Sequence, residues 1–185
     1  SLASQSWATF IECLTNGATQ FKVDSDLGMV STMRARMLSQ NRFRHLNSMA
    51  RVYRNSTQTI ADSTLTTITF NASDYDTDSL WDSSTKLTAA ITGKYLCEGQ
   101  IEMNGIAVGA NGYLLMRLLK NGATVLVEQR VVQSTGANDI INCACVASFT
   151  ATDYLTLVVQ HNYGANNNIL GNAEQTHMTL TYLGE

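Results

Sequence analysis

At 185 residues, with 44% hydrophobic and 15% charged side chains, the chain is large enough for one packed core plus a small appendage and too short for two ordinary domains. This apolar content excludes wholesale disorder, and no apolar run reaches the roughly 18–20 residues of a membrane helix. The formal net charge of −3 hides a split, since residues 1–54 carry seven bases and three acids and the remainder five bases and twelve acids, which marks a boundary near residue 50.

The chain opens on Ser1 instead of Met with no visible secretory leader, so a processed or trimmed chain is expected. Trp7 to Leu14 is an apolar stretch. After the Asn16-Gly17 turn, Thr19, Phe21 and Val23 alternate with Gln20 and Lys22, which predicts a short hairpin ending in Asp24-Ser25-Asp26-Leu27-Gly28. Residues 29–49 change period: Val30, Met33 and Met37 fall at helical spacing, so a short helix is expected there. Arg34, Arg36, Arg42 and Arg44 form a basic cluster. Phe43 apart, they lack the interleaved aromatics of a nucleic-acid platform, so nucleic acid is not an expected partner. Two readings stand: electrostatic docking to an acidic protein, or a solvated linker face.

From Arg51 onward the period is two. Strands are predicted near 51–54, 65–70, 86–91, 93–103, 113–120, 124–133, 139–149, 153–161 and 176–183. Proline is absent and Gly numbers 12, so turns must rest on Gly, Asn and Asp, as Asn104-Gly105, Asn111-Gly112 and Asn121-Gly122 do. The class is all-β, a sandwich or barrel. Tyr113 to Leu119 is apolar on both sides, and a sandwich of this size has one core. The expected partner for its second face is a neighbouring subunit, with Tyr113, Leu115 and Leu118 at a homo-oligomer interface. Cys143 and Cys145 lie two apart on one strand, a poor geometry for bridging each other, and all four cysteines are expected to be reduced, buried and apolar in role.

Asp74-x-Asp76-x-Asp78 is the one candidate metal site. Alternating carboxylates can converge on calcium, yet Ser79 and Thr85 stand where an EF-hand needs Gly and Glu, so a solvated acidic loop is the alternative. His45, His161 and His177 are scattered, without metal-ligand spacing. No Gly-x-Ser-x-Gly elbow and no phosphate loop occur, so no catalytic residues are assigned. The polar loop from His161 to Asn172 offers Tyr163, Asn166, Asn167 and Asn168, whose amides and ring suit carbohydrate recognition; a flexible Asn-rich connector is the other reading.

Phe70, Asp76, Trp81 and the run Leu87-x5-Gly93-x-Tyr95-x-Cys97-x-Gly99 resemble the signature of the complement C1q globular-head family and its tumour-necrosis-factor-like relatives. Asp153 to Val158 and Thr179 to Leu183 resemble the late strands of such domains. The resemblance covers residues 50–185 and implies a trimeric, non-enzymatic C1q/TNF-like jelly-roll β-sandwich. The phrase Asn16 to Asp24 resembles short strand units of phage tail-fibre shafts. Together they imply a structural virion protein, assembled in the host cytoplasm. It would be a homotrimeric phage fibre or receptor-binding head, attached to other virion proteins by the arm of residues 1–49 and displaying a surface to a host glycan or protein. A capsid decoration or head-fibre protein and a bacterial extracellular or spore-surface trimer are the alternatives. No cofactor other than calcium and no membrane insertion are expected.

Overall fold

Buried and half-buried residues alternate over residues 95–103 without a break, as a strand with one face on a core requires. The structure, a computed structural model, describes residues 48–105, 112–132 and 136–185. Twelve strands follow in chain order: β1 Met49–Tyr53, β2 Gln58–Ile60, β3 Thr66–Thr67, β4 Ala72–Asp76, β5 Lys86–Thr88, β6 Gly93–Met103, β7 Tyr113–Lys120, β8 Thr124–Val132, β9 Asp139–Phe149, β10 Tyr154–His161, β11 Asn167–Ile169 and β12 His177–Gly184. There is no helix among the described residues. The helix and hairpin expected within residues 1–49, and the arginine cluster Arg34, Arg36, Arg42 and Arg44, lie outside them.

The strands form two antiparallel sheets. In the first, β9, β6, β12, β1 and β4 lie side by side, with β11 and β2 continuing along the far end of β6. In the second, β8, β7 and β10 are neighbours, and β5 and β3 share the other edge of β10. Long chain excursions between paired strands, such as β1 with β12 and β6 with β9, make this a jelly roll instead of a meander.

The core lies between the sheets. Tyr95, Cys97, Ile101 and Met103 of β6 meet Leu114, Met116 and Leu118 of β7 and Leu155, Leu157 and Val159 of β10, all buried. Tyr95 organises one end. Its ring packs edge-on against Phe149 at 5.4 Å and Tyr182 at 5.2 Å, and its hydroxyl donates to Ile91 O at 2.9 Å. The opposite end holds a buried guanidinium. Arg54 donates to Ser56 O at 2.9 Å, Thr57 O at 3.1 Å, Gln58 Oε1 at 3.1 Å and to Thr69. Burial lowers its pKa from the ordinary arginine value, and these oxygens replace the water it gave up.

The Asn-Gly signal holds at the β7–β8 turn. Asn121 and Gly122 adopt φ of 54° and 69°, the pair of left-handed residues a type I′ turn needs. Three short strands escaped the sequence reading. β2 lies in a stretch with no alternation. β4 and β11 run through the Asp-rich and Asn-rich segments that read as loops, and they are strands because β1 and β2 supply hydrogen-bonded partners.

Candidate interaction surface

Alternation that buries one face of the first sheet leaves the other to solvent, and the register shows what lines up there. Ala144, Glu98, Thr179, Arg51 and Tyr75 form one row across five strands. On one side of it runs the row Val146, Leu96, Thr181 and Met49; on the other runs Asn142, Gln100, His177 and Tyr53. The middle of this face is a shallow depression of about 370 Å³, lined among others by Arg51, Tyr75, Glu98, Gln100, His177 and Thr179.

The face is polar at its centre, with exposed aliphatic side chains on both sides of the polar rows. Arg51 forms an ion pair with Asp74, the extra residue at the β4 bulge, and donates to Ala173 O at 2.6 Å. Beside it, His177 Nδ1 is buried without a hydrogen-bond partner. Burial, with Arg51 nearby, holds the His177 imidazole below its ordinary pKa and favours the neutral ring. Val146 is 58% exposed and Ile140 55%, both pointing outward from the edge strand β9, and Leu183 at 55% does so from β12. A polar patch flanked by exposed aliphatic side chains is the composition of a protein interface.

The residues singled out from sequence fall elsewhere. Leu118 is wholly buried in the chain's own core, so it meets β10 and not a second subunit. Leu115 and Tyr113 do face away from the core. Leu115 lies between Gln160 and Arg130 in register and is only 7% exposed, while the Arg130 guanidinium sits 3.8 Å from the centre of the Tyr113 ring. Long polar side chains flank these apolar groups within one chain.

In the 161–172 loop, the Tyr163 hydroxyl donates to Asp139 Oδ2 at 2.7 Å. The Asn167 amide donates to Asn104 O at 2.7 Å, Asn168 Oδ1 accepts from Thr59 Oγ1 at 2.7 Å, and Asn166 Oδ1 accepts from Asp62 N at 3.3 Å. Asp76 accepts from the backbone N–H of Leu80 at 2.7 Å and of Trp81 at 3.1 Å, a local cap, while Asp74 is engaged with Arg51. Among the described residues no three His, Cys, Asp or Glu side chains converge as metal ligands, so Asp74, Asp76 and Asp78 do not form one calcium site here. Sequence reading missed the outer face of the first sheet, whose Glu98, Gln100 and Glu102 read as a solvated side of β6. Only the register shows that Glu98 and Gln100 share rows with Arg51 and His177, and that Glu102 lies opposite the exposed Ile140.

No family model matches the chain, and no curated protein does. Solved structures do. The chain superposes on the Eiger TNF of S. frugiperda with a TM-score of 0.53 and 13% identity, covering 75% of this chain and 94% of that one. It matches murine APRIL at pH 5.0 with a TM-score of 0.57 and 13% identity, over 74% and 99% of the two chains. The globular domain of zebrafish complement 1qA gives 0.53 and 14% identity, over 75% and 99%. The described residues thus form an all-β sandwich with the jelly-roll fold of these C1q and TNF domains.

Proposed function

We propose that the chain is a non-enzymatic virion protein, a homotrimer whose jelly-roll head projects from a particle to which the arm of residues 1–49 attaches. The observation that carries trimerisation is the outer face of the first sheet, where exposed Val146, Ile140 and Leu183 border a half-buried polar row. Burying aliphatic surface of this kind against another copy of the chain is favourable by about 25 cal/mol per Å². The virion setting rests on the shaft-like phrase Asn16 to Asp24 and on the basic Arg34, Arg36, Arg42 and Arg44, which suit an acidic neighbour in the particle. The host-recognition surface belongs to the head's loops.

A second reading, a capsid decoration or head-fibre protein that stabilises the particle, is favoured by one observation. Tyr163, Asn167 and Asn168 already spend their polar groups inside the chain, which leaves fewer of them for a host glycan. Light scattering of the full chain after size exclusion tests the trimer: the expected mass is three times 20.2 kDa, and a monomer at micromolar concentration overturns it. Adsorption of the purified trimer to host cells supports recognition; loss of particle stability in its absence, without adsorption, supports decoration.

A further inference from the structure

Cys97 on β6 and Cys145 on β9 are directly opposite each other in the antiparallel register. Facing residues in such a pair have Cα atoms ~4.5 or ~5.5 Å apart, and both spacings lie within the span of a disulfide. The two side chains leave the sheet on the same, core-facing side, Cys97 fully buried with its thiol donating to Tyr95 O at 3.9 Å, and Cys145 half-buried against the same core. Cys143, two residues before Cys145 on the same strand, faces Gly99 and has no thiol opposite. All three are free thiols in this structure.

We propose that Cys97 and Cys145 are an oxidisable cross-strand pair, which a low-molecular-weight disulfide converts to an intramolecular cystine that staples the edge strand β9 to β6. Among the described residues β9 pairs with β6 alone, so the staple reinforces an edge strand held by a single ladder. Cys145 is the attacking thiol. It is the more accessible of the two: burial raises both thiols above their ordinary value, Cys97 by far the more, and at Cys145 the neighbouring Cys97 thiol offsets part of that rise. The Cys145 thiolate attacks one sulfur of the oxidant, forming a mixed disulfide and releasing the other half as a thiolate. The Cys97 thiolate then attacks the Cys145 sulfur and releases the second half. The protons of both cysteines end on the two released thiols, so the protein is oxidised by two electrons and the oxidant reduced by two. The pair stays reduced where thiol reductants dominate and closes where disulfides do. Burial pushes the Cys143 thiol up to about 11, which keeps it a slow competitor at neutral pH.

The test is incubation of the full folded chain with oxidised glutathione, alkylation of remaining thiols, and peptide mapping by mass spectrometry. The expected product is one linkage, Cys97 to Cys145, with the loss of two hydrogens and a melting temperature raised by on the order of 10 °C that dithiothreitol reverses. Cys143→Ser leaves that linkage intact, and Cys97→Ser arrests the reaction at the glutathione adduct of Cys145. A linkage through Cys143 or Cys13, or full alkylation of Cys97 and Cys145 after prolonged exposure to the oxidant, overturns the proposal. The mapping uses the unaltered chain, so the result stands even if a variant fails to fold.

Discussion

Gly99 of β6 points into the core directly against Leu157 of β10, and a methyl group at position 99 would collide with Leu157 Cδ1 and press on Leu118 Cδ2 at 3.2 Å. The two sheets approach closely here because one side of the contact has no side chain. Gly99→Ala requires only that the end of a leucine side chain shift, whereas Gly99→Leu must part the sheets. Overpacking of this kind costs roughly 1–3 kcal/mol, and thermal melts should show Gly99→Leu falling well below Gly99→Ala. Equal melting temperatures for the two variants would contradict the close approach.

The same contact shows what a one-dimensional reading can reach. Alternation exposed the long strands β6, β9 and β10, and a continuous apolar run exposed β7, because each buries apolar side chains against the core. The Gly93-x-Tyr95-x-Cys97-x-Gly99 phrase carries a physical logic too: Tyr95 fills one end of the core and Gly99 admits the opposite sheet. β4 and β11 stayed hidden because their residues are Ser, Asp and Asn, and strand character there comes from partners distant in sequence. β7 misled for another reason. Counting apolar residues on both faces says nothing about neighbours long enough to flank Leu115, and Gln160 and Arg130 are supplied by other strands. Pairing of Cys97 with Cys145 needs a register, which spacing within one strand cannot give.

Tyr163 ties the Asn-rich loop to the start of β9 through Asp139, both residues being nearly inaccessible to solvent. Burial and the adjacent Asp139 raise the phenol far above its ordinary pKa, so it remains a donor throughout the accessible pH range. Tyr163→Phe deprives a buried carboxylate of one partner and should cost about 1–3 kcal/mol. A melting temperature several degrees lower, read by circular dichroism, is the expected result. An unchanged melting temperature would release the hydroxyl for ligand recognition and restore the carbohydrate reading of this loop.

Acid sensitivity should concentrate at Asp153. Its carboxylate accepts from Asn121 Nδ2, from the Lys120 ammonium and from Thr150 N, each at 2.7 Å, so it joins the β7–β8 turn to the β9–β10 turn. The Asn121 amide, then Lys120 and the Thr150 N–H, lower its pKa from 3.8 to about 2. Because the folded value lies below the unfolded one, the stabilisation is complete above the unfolded pKa and is lost as pH falls through the folded one, between about pH 4 and pH 2. Melting curves across that window should converge for the wild type and Asp153→Asn as pH falls. A constant gap between them would assign the effect to other carboxylates.

The outer faces of the two sheets make opposite predictions for assembly. Val146→Glu places a charge on the exposed flank of the first sheet, where it meets solvent in a monomer and another subunit in a trimer. Within one chain this change removes no core contact, so folding should survive within roughly 0.5 kcal/mol. At an interface it buries an unpaired carboxylate and should drive dissociation, seen as a fall from trimer to monomer mass in sedimentation velocity with an unchanged circular dichroism spectrum. Leu115→Asp acts differently. Leu115 is shielded by its own chain, so the variant should lose melting temperature whatever its assembly state. If Val146→Glu stays trimeric while Leu115→Asp dissociates without losing stability, the subunits meet through the second sheet, at Tyr113 and Leu115. The surface of Val146, Leu96 and Met49 is then left for a different partner.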